Sequence, residues 1–317
     1  MKKALIIGGA GFVGTYLAKY LMEELQWEIF ITKLEGEQTE LSLPKQNIYD
    51  LNILDFDRVK TVLEEIQPDY IFHLAAQSSV ASSWKNPDLT LDINIKGSVH
   101  ILEAVRTLKK QPSILMIGSG EEYGYVLSEE VPIKEDTILR PGNIYATTKA
   151  CQNMLSNVYY RAYGIKVKMV RAFNHIGAGQ ADMFVVSNFC KQVAEIEKGR
   201  KEAILYVGNL SAKRDFTDVR DVVKAYALLI QFGQDGETYN VGSGKAISIQ
   251  ELLDKILSFS NRSIIIKQDQ NRMRPSDIPI IEADITKIKR DTNWKPEIPL
   301  ERTLIDTLDY WRKQREE

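Results

Sequence analysis

A chain of 317 residues is about twice an average domain, so one large α/β domain, or a core domain with a smaller lobe, is expected. Its 41 basic and 43 acidic residues leave a formal net charge of −2, without the basic field that nucleic acids reward, and no apolar run approaches the roughly 18–20 residues of a membrane span; neither nucleic acid nor membrane is an expected partner. Two cysteines, Cys151 and Cys190, and three histidines are too few for a disulfide framework or a zinc cluster, so no metal is expected, and the start Met1-Lys2-Lys3 lacks the features of a secretory signal, which makes the cytoplasm the expected compartment.

Residues 4–7 form a short apolar run ending in glycines, and residues 15–25 carry apolar side chains at helical spacing, which predicts strand, tight turn and helix. Residues 27–32 alternate as a second strand, and residues 56–66 read as a helix stopped by Pro68, which cannot continue one. A strand over 70–75, a long helix over 89–108, a strand over 114–117, a helix over 145–163 and a strand over 167–172 follow. Apolar strands alternating with helices predict a doubly wound parallel sheet of the α/β class, covered on both faces, because parallel neighbours need a crossover between them. The first domain is therefore expected over residues 1–172. Beyond it come a loop at Gly177-Ala178-Gly179, a helix near 185–198, a strand near 204–207 and shorter elements, which predict a smaller C-terminal α/β lobe over 173–317. The run Thr238-Tyr239-Asn240-Val241 reads as one more buried strand, so the chain is expected to rejoin the first sheet over about 217–243.

Gly8, Gly11 and Gly14 stand at the strand-to-helix junction. Glycine at the first two positions permits a tight turn and close approach of a pyrophosphate, and at the third it lets the helix pack on the sheet, while the helix N-terminus offers N–H groups to the anion. After the first strand of an alternating α/β chain, this spacing predicts a Rossmann-type dinucleotide site with Phe12 and Val13 in its turn. At the end of the second strand, Thr32-Lys33-Leu34-Glu35 offers a lysine for the 2′-phosphate of NADP and a rather late acid for the ribose of NAD; NADPH is favoured, with NADH and a merely solvated Lys33 left open. Asp50, followed by Leu51, falls where the third strand should end, placed either to accept from the adenine amino group or to cap the next helix.

Tyr145 and Lys149 lie four residues apart and so share one helical face. A tyrosine with an ordinary pKa near 10 is a poor proton shuttle at neutral pH, but an adjacent cation favours its phenolate. Ser119 comes 26 residues upstream, directly after an apolar strand and at the carboxyl edge where doubly wound sheets hold ligands. An ordinary surface pair is the plain alternative for Tyr145 and Lys149.

The run Gly8-Gly9-Ala10-Gly11-Phe12-Val13-Gly14, the segment His73-Leu74-Ala75-Ala76, Asn94 with Gly97, Ser119 and Tyr145-Ala146-Thr147-Thr148-Lys149 together resemble the extended short-chain dehydrogenase/reductase family that acts on nucleotide-activated sugars. The resemblance implies that Ser119 and Tyr145 bind the reacting oxygen, that Tyr145 passes the proton, and that Lys149 tunes Tyr145 while holding the nicotinamide ribose. Leu74, Ala75, Ala76 and Asn94 join the implied cofactor site. The first domain would take the cofactor and the C-terminal lobe the sugar nucleotide, in a homodimer built on helices of the first domain.

The segments Phe173-Asn174-His175-Ile176-Gly177, Phe184-Val185-Val186, Val207-Gly208-Asn209, Arg214-Asp215-Phe216 and Arg272-Met273-Arg274-Pro275-Ser276-Asp277 are similar to the GDP-sugar branch, which contains GDP-mannose 4,6-dehydratase and GDP-4-keto-6-deoxy-mannose reductase. Arg214 and Arg274 can each present a planar fork of donors to a pyrophosphate, with Asn174 beside them, while Asp277 can accept the guanosine ribose hydroxyls. Val185, Asn188 and Asn209 complete the implied substrate set. The plain alternative pairs Arg214 and Arg274 with Asp215 and Asp277 at the surface. Glu121 falls where the dehydratases keep a glutamate that removes a proton, whereas the wording of the Tyr145 and Asn174 segments looks closer to the reductase. The resemblance thus implies reduction of the C4 ketone of GDP-4-keto-6-deoxy-D-mannose to GDP-D-rhamnose, with dehydration of GDP-mannose and a non-catalytic NAD(P)-binding regulator as the alternatives. His73 and His100 are expected to be packed or solvated, His175 to shape its loop, Cys151 and Cys190 to be small helix residues, and residues 310–313 to end an amphipathic helix with a solvated basic face.

Overall fold

The computed structural model describes residues 1–270 and 278–314. In chain order it runs β1 (Lys3–Ile7), α1 (Phe12–Glu23), β2 (Glu28–Lys33), β3 (Ile48–Asp50), α2 (Phe56–Ile66), β4 (Tyr70–His73), α3 (Val80–Lys85), α4 (Pro87–Leu91), α5 (Gly97–Thr107), β5 (Ser113–Ser119), α6 (Ile144–Tyr163) and β6 (Val167–Ala172). There follow β7 (Asn174–Ile176), α7 (Val185–Glu197), β8 (Ile204–Val207), β9 (Lys213–Asp218), α8 (Val219–Phe232), β10 (Thr238–Val241), β11 (Ala246–Ser248), α9 (Ile249–Ser258), β12 (Ile265–Gln268), β13 (Ile280–Ile281), α10 (Thr286–Thr292) and α11 (Leu300–Lys313).

Seven strands form one parallel sheet in the order β10-β6-β5-β4-β1-β2-β3. Parallel strands buried on both faces read as continuous apolar runs, and β1 and β5 do so because one face packs under α1 and α8 and the other under α2 and α5. The order turns back between β1 and β4, which sets the ligand crevice at their carboxyl ends. The expected doubly wound fold is therefore present. Its last strand, β10, arrives through α8 after the chain has left the sheet and returned. A separate group holds β11, β9 and β13 with β7 beside β9, and β8 pairs with β12; α7, α9 and α11 enclose a third apolar cluster around Phe189, Leu252 and Leu304.

One expected element differs. The single helix over 89–108 is broken into α4, a π-turn over Asp92–Lys96 and α5. A π-turn carries one extra residue per turn and often marks a functional position; here it turns Asn94 inward, fully buried. The start of α6 is set by Asn143, whose side chain accepts from the Ala146 amide at 2.8 Å, and its end by Gly164 in the left-handed region at φ 67°.

Candidate active site

The turn after β1 closes against its neighbours so tightly that only glycine fits. A Cβ at Gly8, where φ is +82°, would lie 2.9 Å from the Ala75 backbone, and one at Gly14 would lie 2.6 Å from Gly9 Cα. A Cβ at Gly11 would meet nothing nearer than 3.5 Å, so its outer side is open. No side chain caps α1, which leaves first-turn N–H groups for an anion. Gly8 N–H donates to Thr32 Oγ1 at 3.1 Å, tying the turn to the end of β2. Phe12 stacks on His175 with ring centroids 6.4 Å apart. A bare helix N-terminus, an open glycine and close glycine packing suit a dinucleotide pyrophosphate, and Gly8, Gly11, Phe12, Val13, Gly14 and Thr32 sit together there.

Lys33 and Asp50 end adjacent strands in register, and Lys33 Nζ meets Asp50 Oδ1 at 2.5 Å. Lys33 is thus not the merely solvated lysine of the plain alternative, its side chain being only 17% exposed. Nor does Asp50 cap the next helix: Asp55 caps α2 by accepting from Arg58 N at 3.0 Å. Leu51 N–H binds Lys33 O at 2.9 Å, and the Leu74 and Ala75 amides both bind Ile7 O, at 3.0 and 2.9 Å, bringing Ala75 and Ala76 past the glycine turn. The Asn94 side chain accepts from Gln77 N at 2.9 Å and donates to Gln77 O at 3.1 Å and Thr148 Oγ1 at 2.9 Å. It fixes the 74–77 loop to α6.

Ser119, at the end of β5, accepts from Glu121 N through its hydroxyl at 3.2 Å and neighbours the Tyr145 side chain, which stands in the first turn of α6 and is 9% exposed. Glu121 follows in the 3-10 turn Gly120–Tyr123, with Oε2 accepting from Asn143 Nδ2 at 3.1 Å. The expectation that Lys149 draws the phenol toward ionisation needs correction. Burial pushes Tyr145 above its ordinary value, and the neighbouring Ser119 hydroxyl offsets only part of this. Lys149 Nζ is instead held by Ile117 O at 2.7 Å and Gln152 Oε1 at 3.0 Å. Burial brings its amine down to about 8, opposed by the Glu122 carboxylate.

On the other lobe, β7 carries Asn174 and α7 begins at Val185. Asn188, Lys191, Gln192 and Glu195 form one stripe of α7 at helical spacing and, with Tyr206 of β8, line a cavity of about 290 Å³. Asn188 Nδ2 donates to Asp182 O at 2.9 Å, and Asn209 Oδ1 accepts from Ser211 N at 2.9 Å. Arg214 Nη1 donates to Lys213 O at 2.8 Å and Ile278 O at 2.7 Å. The alternative pairing of Arg214 with Asp215 is overturned, because the buried Asp215 carboxylate is taken by the Ser243, Gly244 and Ala283 amides and the Ser243 hydroxyl. Arg274 and Asp277 lie outside the described residues.

His73 is buried beside Ser98 Oγ at 3.2 Å, and burial pulls its imidazole down to about 3, so it is neutral. His100 Nδ1 lies 2.9 Å from Ile53 O, Cys151 sits on α6, and Cys190 is buried on α7. The solvated basic face expected over 310–313 is corrected at Arg312, which grips Glu197 with two bonds of 2.7 Å. Sequence reading missed Glu122 and Arg171, an ion pair of 2.9 Å beneath Ser119; an arginine inside an otherwise apolar strand was the available signal. Among the described residues no helix is long and apolar enough to cross a membrane, and no group of His, Cys, Asp and Glu is placed to hold a metal.

A parallel sheet with a glycine turn for a dinucleotide, and a serine and tyrosine beside a lysine at its carboxyl edge, defines an oxidoreductase of the nicotinamide-dependent, short-chain dehydrogenase/reductase kind. Residues 5–307 match the GDP-mannose 4,6 dehydratase family, and the chain belongs to it. The chain is 33% identical to GDP-6-deoxy-D-mannose reductase of Pseudomonas aeruginosa over 314 residues, covering 99% of this chain and 98% of that protein. It is 28% identical to GDP-mannose 4,6-dehydratase of Yersinia enterocolitica, over 95% of this chain and 91% of that one. Among solved structures, RMD from Pseudomonas aeruginosa complexed with NADPH superposes with a TM-score of 0.88 at 32% identity, covering 98% and 99% of the two chains.

Proposed function

We propose that this enzyme reduces the C4 ketone of GDP-4-keto-6-deoxy-D-mannose with NADPH, giving GDP-6-deoxy-D-mannose (GDP-D-rhamnose), in the cytoplasm and as a homodimer. The observation that supports the reading is that the Ser119 and Tyr145 side chains stand next to each other at the carboxyl edge of the sheet, at the end of β5 and in the first turn of α6. Two neighbouring hydroxyls are the donors that a substrate carbonyl oxygen would take.

When bound, the nicotinamide supplies a hydride to the carbonyl carbon. As negative charge grows on the ketone oxygen, Ser119 and Tyr145 donate to it and Tyr145 yields its proton. A phenol whose pKa burial has raised is a protonated donor at neutral pH, which suits a reduction: it must deliver a proton, and the oxygen that receives it becomes more basic than the phenolate left behind. Lys149 is the nearby source from which that proton is replaced. The large parallel sheet, rejoined through α8 and β10, would hold the cofactor, with Lys33 toward the 2′-phosphate. Asn174, Arg214, Arg274 and Asp277 would hold the diphosphate and ribose, and the α7 stripe ending at Glu195 would face the base, about 15 Å along the helix axis from Val185.

A second reading, dehydration of GDP-mannose, is favoured by Glu121, which shares the site with Tyr145 and is oriented by Asn143. One pair of incubations separates the two. Stoichiometric NADPH oxidation with the 4-keto-6-deoxy sugar, and no keto sugar from GDP-mannose, is the expected result; keto-sugar formation from GDP-mannose overturns the reductase reading.

A further inference from the structure

Beneath Ser119 lies a charge pair that the mechanism above does not use. Glu122 is 0% and Arg171 6% exposed. Glu122 Oε1 accepts from the Ser119 backbone N–H at 2.9 Å, and its Oε2 accepts from Arg171 Nε at 2.9 Å and Asn153 Nδ2 at 3.3 Å. Arg171 Nη1 also donates to Tyr123 OH at 3.0 Å and Glu135 O at 2.9 Å, and Tyr123 OH donates to Asn240 Oδ1 at 2.6 Å. The pair is thus bonded to β5 and α6 as well as across to β6, and reaches β10 through Tyr123.

Burying two charges costs several kcal/mol per ion, and apolar residues of like volume hold a fold as well or better, so stability alone does not account for the pair. The surroundings are shaped for it: a Cβ at Gly118 would collide with Glu122 Oε1 and the Val170 carbonyl. All the neighbours bonded to the carboxylate are donors, an arrangement that favours the ionised form, and they work against burial, the larger effect, which raises its pKa. Asn153 lies one helical turn beyond Lys149 on α6, so the carboxylate addresses the same face as the lysine.

We infer that Glu122, seated by Arg171, is a positioning residue for the proposed ketone reduction: it pins the Ser119 backbone and supplies the negative charge that keeps the Lys149 amine protonated. The kinetic part of this rests on the reductase reading; the charge part does not. Glu122 and neutral His73 of β4 interact with Lys149, and the neighbouring elements also carry Glu121 and Tyr123 on the 3-10 turn, Arg171 on β6 and Tyr145 on α6 itself. Lys85 of α3, Asp88 of α4 and Asp92 and Lys96 of the π-turn are exposed. Glu122 is the anion that opposes the desolvation of Lys149. With the main-chain carbonyl of Ile117 on Lys149 and the amide of Ser119 on Glu122, lysine and glutamate both bond the main chain at the end of β5.

The test uses the full-length protein carrying 13Cε-lysine, with the Lys149 signal assigned by its absence in Lys149→Met. Glu122→Gln is expected to lower the Lys149 titration midpoint by about one pH unit, a tenfold loss of proton affinity, and to cut kcat about tenfold with KM nearly unchanged. Glu122→Asp keeps the charge but retracts it from Ser119, so the midpoint stays and kcat still falls. An unchanged midpoint in Glu122→Gln overturns the charge role. If that variant does not fold, a lowered midpoint in Glu122→Asp overturns the charge role, and a wild-type kcat overturns the grip on Ser119. Should the unaltered enzyme consume no NADPH with the keto sugar, the reductase reading fails, while the lysine midpoint still decides the role of the Glu122 charge.

Discussion

Lys149 Nζ donates to the carbonyl oxygen of Ile117 at 2.7 Å, two residues before Ser119. The lysine is thereby locked to the strand that carries the serine, and the tyrosine one turn earlier on α6 is held over the same strand end. Three residues from two distant segments become one rigid unit, the arrangement that a proton transfer requires.

Tyr145→Phe removes the proton donor while leaving its ring packing. Turnover of the keto sugar is expected to fall roughly hundredfold to ten-thousandfold, with NADPH affinity by fluorescence titration within a factor of a few of the unaltered protein. Retention of full turnover would show that another group protonates the oxygen.

Burial brings Lys149 down to about 8 from an ordinary value of 10.5. Between those values the unfolded chain still holds the proton that the folded protein has released, so this residue makes stability rise with pH across about 8 to 10.5. Below pH 8 the folded protein bears the cost of a buried ammonium. Subtracting the urea-unfolding free energy of Lys149→Met from that of the unaltered protein, point by point over pH 7–10, should give an upward slope beginning near 8. Parallel curves would contradict it.

Lys33, paired with Asp50 at the ends of β2 and β3, is the cation proposed for the 2′-phosphate. A charged hydrogen bond is worth about 1.5–3 kcal/mol, so Lys33→Ala should reduce the NADPH-to-NADH preference in kcat/KM roughly tenfold to hundredfold. An unaltered ratio would assign the selection to other residues.

Gly14→Ala puts a methyl 2.6 Å from Gly9 Cα. Neither backbone can yield freely, so a loss of about 1–3 kcal/mol in stability is expected, together with weaker NADPH binding because the turn must open. Calorimetry and a binding titration on the same sample check both.

Met154 and Val158 are 59% and 55% exposed, one turn apart on α6, and Leu91 of α4 is 43% exposed. Under the proposed homodimer, a second copy would cover this apolar row. Met154→Asp with Val158→Arg should halve the mass seen by sedimentation equilibrium; a monomeric unaltered protein would refute the assignment.

What the amino-acid order alone determined was local. The glycine turn follows from Gly8, Gly11 and Gly14, since a missing Cβ is visible at any position; Tyr145 and Lys149 share a face because four residues make about one turn; and the run of apolar strands between helices dictates a parallel sheet. Three-dimensional packing decided the rest. Glu122 and Arg171 are 49 residues apart, and nothing in either neighbourhood announces the other. The reversal of the expected electrostatics at Tyr145, the occupation of Asn94 by Gln77 and Thr148, and the binding of Asp215 by backbone amides have the same origin. Burial and long-range partners set the charge and the free hydrogen-bonding capacity of a side chain, and both arise only when segments remote in sequence are brought into contact.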